Sequence, residues 1–221
     1  ADSVKAMLLF ANPILHPGVI AKSSVMKSFR YNEALTCTED LDLWTRMAAD
    51  GKRLEIQDEY LVIYRLHPSQ ITATTAERQR TEVLGIQERY FSSLGMSMSD
   101  SERSYYIDGM YFKDAEKIDI GEFSHFARHL KKLLDGCGIT DKYALDRALI
   151  EVLAEYKRKG ISPVKIVLGA VRAGISPLFF AGELSRRKRR ARADGLRCIA
   201  AAEKIGLHRT GKSDTFPTFS E

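Results

Sequence analysis

The sequence predicts an α/β segment followed by a mostly α-helical region, and three observations carry that prediction. Within the first 72 residues, two short runs have the polar–apolar alternation or the β-branched and aromatic content of strands. An amphipathic helix with an acidic start lies ahead of them, between Thr38 and Gly51. Beyond Thr72 only helical periodicity recurs. The expected organisation is therefore a mixed unit over 1–72, a helical region over 73–160, and an amphipathic, basic tail over 161–221 with a disordered end.

Taken in order, residues 3–10 read as the end of a helix, which Pro13, Pro17 and Gly18 interrupt. Val19 and Ile20 are predicted as a short buried strand and Lys22 to Lys27 as a helical turn. Leu41, Trp44 and Ala48 then fall on one stripe, widened by Leu43 and Met47, the spacing of a helix packed on a core. Thr36, three residues before Glu39, fits a capping box, with Thr38 as the alternative N-cap. Gly51 is placed to end that helix. Arg53 to Gln57 alternates like a half-buried strand. Tyr60 to His67 reads as a second strand, stopped by Pro68.

The helical part begins with Glu77–Leu94, ended by Gly95 and a linker over Met96–Ser101. Shorter helical patterns follow around Tyr105–Phe112 and Phe123–Leu134. The strongest runs from Asp141 to Lys159, with Leu145, Ala148, Leu149, Val152 and Leu153 on one face and Gly160 just past its end. Ser162 and Pro163 form an N-cap and N1 pair for another helix. Val164 to Ala173 is apolar apart from Lys165 and Arg172, and Gly174-Ile175-Ser176-Pro177 interrupts it. No uncharged stretch reaches the ~20 residues of a membrane-spanning helix. The pattern fits either an interfacial membrane segment or a helical hairpin packed on the rest of the chain.

A chain of 221 residues with 44% hydrophobic content can bury a sizeable core. Its net charge of +5 comes from the run Arg186–Arg192, which suits a polyanion such as an anionic membrane surface or nucleic acid. No aromatic residues interleave those arginines, so no base-stacking platform is visible and nucleic acid is the weaker partner. Cys37, Cys137 and Cys198 form no CxxC pair, which argues against a disulfide framework or zinc knuckle and for a reducing, cytosolic setting. The chain opens in mid-pattern at Ala1, without the order of segments of a signal peptide, and is expected to be a piece of something longer.

Three signals in order give the function. His16-Pro17-Gly18-Val19, Thr38-Glu39-Asp40-Leu41-Asp42-Leu43-Trp44-Thr45-Arg46, and Tyr64-Arg65-Leu66-His67-Pro68-Ser69-Gln70 together resemble the C-terminal half of the catalytic domain of family 2 glycosyltransferases. The resemblance covers residues 1 to about 72. It implies a partial GT-A (Rossmann-like) fold there, and an inverting transfer of sugar from a nucleotide-diphosphate donor to a glycan or lipid-linked acceptor. The Gln-x-x-Arg-Trp signature of the processive synthases is lacking, which implies a non-processive enzyme.

In that family the acid at the position of Asp40 is the base that deprotonates the acceptor hydroxyl. Glu39 would orient the acceptor, and His16 and Gly18 would lie near acceptor and donor sugar. Arg65 would stand near the diphosphate, and His67 would help hold a divalent cation, Mn²⁺ or Mg²⁺. Residue chemistry alone offers plainer roles: a tight turn at Pro17-Gly18, a strand residue at Arg65, a loop residue at His67. Asp42 and Arg46, four apart, are expected to pair on the helix rather than to take part in chemistry. The family's nucleotide-binding half, with its Asp-x-Asp motif, has no counterpart, so this chain alone is expected not to transfer sugar. Rival readings are a helical nucleic-acid-binding protein and a peripheral membrane adaptor, both using Arg186–Arg192.

Overall fold

Four glycines set the ends of four helices. Gly51, Gly95, Gly160 and Gly174 all have positive φ, between 72° and 94°. After each, the next residue's N–H reaches back to a carbonyl five residues earlier, as in Lys52 to Met47 at 2.9 Å and Ile175 to Ala170 at 3.0 Å. This closure satisfies helix-end carbonyls and turns the chain for the next helix.

The computed structural model describes residues 2–57, 62, 76–133, 139–141 and 143–204, with side chains as far as 191 in the last helix. In chain order these form α1 (Asp2–Met7), α2 (Ser23–Phe29), α3 (Glu39–Ala49), α4 (Ala76–Ser93) and α5 (Asp100–Tyr105). A π-helical turn, Tyr106–Tyr111, continues α5. Then come α6 (Ile120–Leu133), α7 (Ala144–Arg158), α8 (Pro163–Arg172) and α9 (Pro177–Lys204).

The expected α/β fold, a partial GT-A (Rossmann-like) unit, is overturned: among the described residues there is no strand. Ile20, expected to be buried, is 95% exposed and follows a 3-10 turn at His16–Gly18. Arg53–Gln57 is irregular, with Ile56 facing solvent. A strand needs a neighbour for its backbone N–H and C=O groups, and alternation does not supply one. The second expected strand, Tyr60–His67, lies outside the described residues except for Val62.

One core runs from Val4 in α1 to Phe180 in α9. α1 packs on α7, α3 on α4, and α8 on both α6 and α7. The predicted faces are the ones buried: Leu41, Leu43, Trp44, Met47 and Ala48 in α3, and Leu145, Ala148, Leu149, Val152 and Leu153 in α7. At the centre, the rings of Phe91, Tyr106 and Phe126 meet with centroids 5.2–6.1 Å apart, in tilted and edge-on arrangements that aromatic quadrupoles favour.

The carbonyls at the end of α1 are taken by side chains from much later in the chain. Tyr90 donates to the Lys5 carbonyl (2.9 Å), Gln87 to that of Leu8 (2.9 Å), Tyr106 to that of Leu9, and Lys113 to that of Phe10 (3.1 Å). Burial lowers the Lys113 ammonium to a pKa of about 8. The region that carries the family-like motifs is therefore seated directly in the helical region.

Candidate functional site

Asp40 is the second residue of α3, where backbone N–H groups lack helical partners. Its Oδ1 accepts from the Leu41 N–H at 2.7 Å, doing the work of a cap from inside the helix. Its Oδ2 accepts from the Asn12 side-chain amide at 2.9 Å. The carboxylate is half-buried and, among the described residues, forms no ion pair. One helix-start N–H and a neutral amide thus hold it, which fixes its direction without a cation to neutralise it.

The expected capping box does not form. Thr38 is the N-cap residue, but its hydroxyl donates to Glu82 of α4 at 2.7 Å and makes no cap bond. A capping box does occur at α5, between Ser99 and Glu102.

Glu82, which sequence reasoning missed, organises the approach to α3. Five donors converge on it: the Thr36 and Cys37 backbone N–H groups, the Cys37 thiol, the Thr38 hydroxyl and the Arg78 guanidinium. Burial alone would raise its pKa; the hydrogen bonds outweigh burial and hold it at about 2. A carboxyl lowered on folding stabilises the fold above its unfolded pKa of 4.5 and loses that contribution as pH falls through 2. We expect Glu82→Gln to lower stability by about 2–3 kcal/mol at pH 7. Thermal denaturation should show the gap from wild type shrinking to about half at pH 3.

The loop between α1 and α2 lies across the start of α3. Asn12 bonds Asp40, and one turn further on the His16 ring meets Trp44 edge-on at 6.0 Å. His16 Nε2 is 2.9 Å from the Tyr31 hydroxyl. The Trp44 indole N–H is buried without a hydrogen-bond partner among the described residues. Asp40 and Trp44 are four residues apart, so they share one side of α3 and face the same loop. Tyr111, also missed from sequence, completes the surroundings. Burial first and the Asp40 charge second raise its phenol well above the ordinary range, so it stays protonated.

The other expected site residues divide. Glu39 is half-buried at the first position of α3, and its carboxylate has no partner among the described residues. Gly18 ends the 3-10 turn, and a Cβ there would meet Val62 at 3.4 Å, an ordinary contact, so the turn does not require glycine for space. Arg65 and His67 lie outside the described residues. Asp42 is buried and held by two guanidiniums, Arg46 at 2.8 Å and Arg89 at 3.0 Å. Arg46 also donates to the carbonyls of Phe29 and Arg30, tying α2 to α3. Among the described residues no group of three or more His, Cys, Asp or Glu side chains could hold a metal ion. His67, the expected cation ligand, lies outside those residues.

Comparison with known proteins finds a partial similarity. The chain is 35% identical over 52 residues to an uncharacterized glycosyltransferase of Methanocaldococcus jannaschii. That stretch is 24% of this chain and 18% of the relative, so the chain spans under a fifth of the length of the protein it matches. No family model matches, and neither does any solved structure. The similarity supports a glycosyltransferase-like role.

Proposed function

We propose that this chain is the acceptor-side part of an inverting, family 2-type glycosyltransferase that builds a glycan or lipid-linked saccharide at the cytoplasmic side of the cell. The observation that carries the reading is Asp40: an oriented carboxylate at a helix start, half open, with no cation paired to it among the described residues. In the reaction its free lone pairs take the proton of the acceptor hydroxyl while that oxygen attacks the anomeric carbon. The new glycosidic bond forms as the bond to the nucleotide diphosphate breaks, and the diphosphate leaves with the electron pair. Glu39, beside the base, holds the acceptor, and His16 and Gly18 border the sugar. The reading keeps Arg65 at the diphosphate and Mn²⁺ or Mg²⁺ at His67.

The test uses the full-length enzyme that contains this segment, supplied with nucleotide-diphosphate sugars and glycan acceptors. The anomeric configuration of the product is read by NMR. Transfer with inversion is the expected result. Transfer with retention, or donor hydrolysis with no acceptor used, overturns the reading.

A further inference from the structure

We propose that the outer face of α8, with the start of α9, docks on an anionic phospholipid bilayer. The inference concerns a surface separate from the Asp40 site and does not depend on the sugar-transfer reading.

α8 has apolar residues on opposite sides. Ile166, Gly169 and Ala170 are buried against α6 and α7, as is Ala173 just past the helix end. Val164, Val167, Leu168 and Val171 follow the i, i+3, i+4, i+7 spacing of a second stripe that points away from the core. These four and Leu178 at the start of α9 are between 42% and 86% exposed. Isolated exposed aliphatics are ordinary, but a stripe with helical period on a helix already anchored by its other side marks a docking surface.

Charge decides what docks. Residues 161–192 hold eight bases and one acid, a net +7 in a chain whose total is +5. That acid, Glu183, is buried and paired with Arg186 at 2.6 Å. Lys165 and Arg172 are exposed and, at 100° per residue, run along one border of the apolar stripe. On α9, Leu178, Gly182, Ser185 and Arg189 form the solvent-facing row, with Lys188 beside it. The structure also redistributes the work within the basic run. Arg186 pairs with Glu183 and Arg187 with Glu151, which leaves Lys188 and Arg189 as exposed cations at this face.

An apolar stripe bordered by cations, with no exposed acid between residues 161 and 191, is complementary to acyl chains beneath anionic headgroups. A protein partner matching it would need an apolar groove rimmed by acids, whereas a bilayer supplies both features everywhere. α8 has ten residues, and among the described residues no helix is long and apolar enough to cross a membrane. The surface lies on the bilayer and does not span it.

The experiment is flotation of the full chain with phosphatidylcholine vesicles, with and without phosphatidylglycerol. Wild type should float with the anionic vesicles only, and less as salt rises. A Val167→Asp/Val171→Asp variant, whose side chains are already in solvent, should keep its circular dichroism spectrum and bind about tenfold more weakly or less. Lys188→Glu/Arg189→Glu should lose a similar factor, about tenfold, in anionic vesicles. The proposal is overturned if wild type stays with the soluble fraction, or if the double Asp variant floats as well as wild type. It is equally overturned if the stripe mediates self-association, seen as a dimer that the Asp variant dissociates without any vesicle binding. Binding of single-stranded RNA in preference to anionic vesicles would overturn it too.

Discussion

On the proposed function, the full-length Asp40→Asn enzyme should transfer sugar about a thousandfold more slowly than wild type, the span that loss of a general base gives. Nucleotide affinity will be unchanged, because the substitution removes a proton acceptor and leaves the loop over α3 in place. Asparagine retains one side-chain oxygen as acceptor, for either the Leu41 N–H or the Asn12 amide, which are now shared between the two carboxylate oxygens. The loss of a negative charge at the start of α3 costs about 0.5 kcal/mol, too little to unfold the chain. Equal turnover in the two enzymes would remove Asp40 from the chemistry. A fall in nucleotide affinity that matched the fall in rate would make it a binding group instead.

Gly109→Ala will have the largest effect on stability. Gly109 sits in the π-helical turn, and a Cβ there would lie 2.4 and 2.8 Å from two carbons of the Tyr105 ring and 3.0 Å from the Lys117 carbonyl. The ring cannot swing aside freely. Its hydroxyl is held by Tyr156 at 2.7 Å and by the Asp119 carbonyl at 2.9 Å. Relief must come from the backbone, and we expect a cost of about 3 kcal/mol, or roughly 6–12 °C in Tm. Gly182→Ala is the contrasting case. Nothing lies within 4 Å of its would-be Cβ in the exposed row of α9, so the alanine should raise Tm slightly through helix propensity. Similar Tm changes in the two variants would contradict this account of Gly109. Because the same turn carries Tyr111 toward Asp40, the alanine at Gly109 should also disturb the surroundings of Asp40.

What could be read from the chain without coordinates was what a few neighbouring residues decide. Gly51, Gly95, Gly160 and Gly174 end helices because a positive φ is a local demand that glycine alone meets cheaply. The stripes of α3 and α7 were legible because a period of 3.6 shows within three turns. The Asp42–Arg46 pair was legible from their separation of four.

The failures have the opposite character. Val19-Ile20 and Arg53–Gln57 resemble strands, but pairing depends on partners that the local sequence does not name. Thr38 does occupy the N-cap position, but a carboxylate 44 residues away takes its hydroxyl, so the side-chain cap bond is missing. Glu82 looks like any acid on the exposed side of a helix, and nothing around it announces five donors. Tyr111 reached Asp40 through a π-helical turn, whose extra residue per turn breaks the periodicity that sequence reading follows. Of the candidate site, the helix start that carries Asp40 was visible beforehand. The loop laid across them by Asn12 and His16 was not.

The anchoring of α1 by Tyr90, Gln87, Tyr106 and Lys113 sets an order on biosynthesis. Those bonds join residues 79 to 103 positions apart. At ribosomal rates of about 5–20 residues per second, the first helix emerges roughly 5–20 s before its last anchor is made. Throughout that interval its carbonyls are left to water and its apolar side to chaperones. α1 can settle into its final position only after translation has passed the lysine at 113.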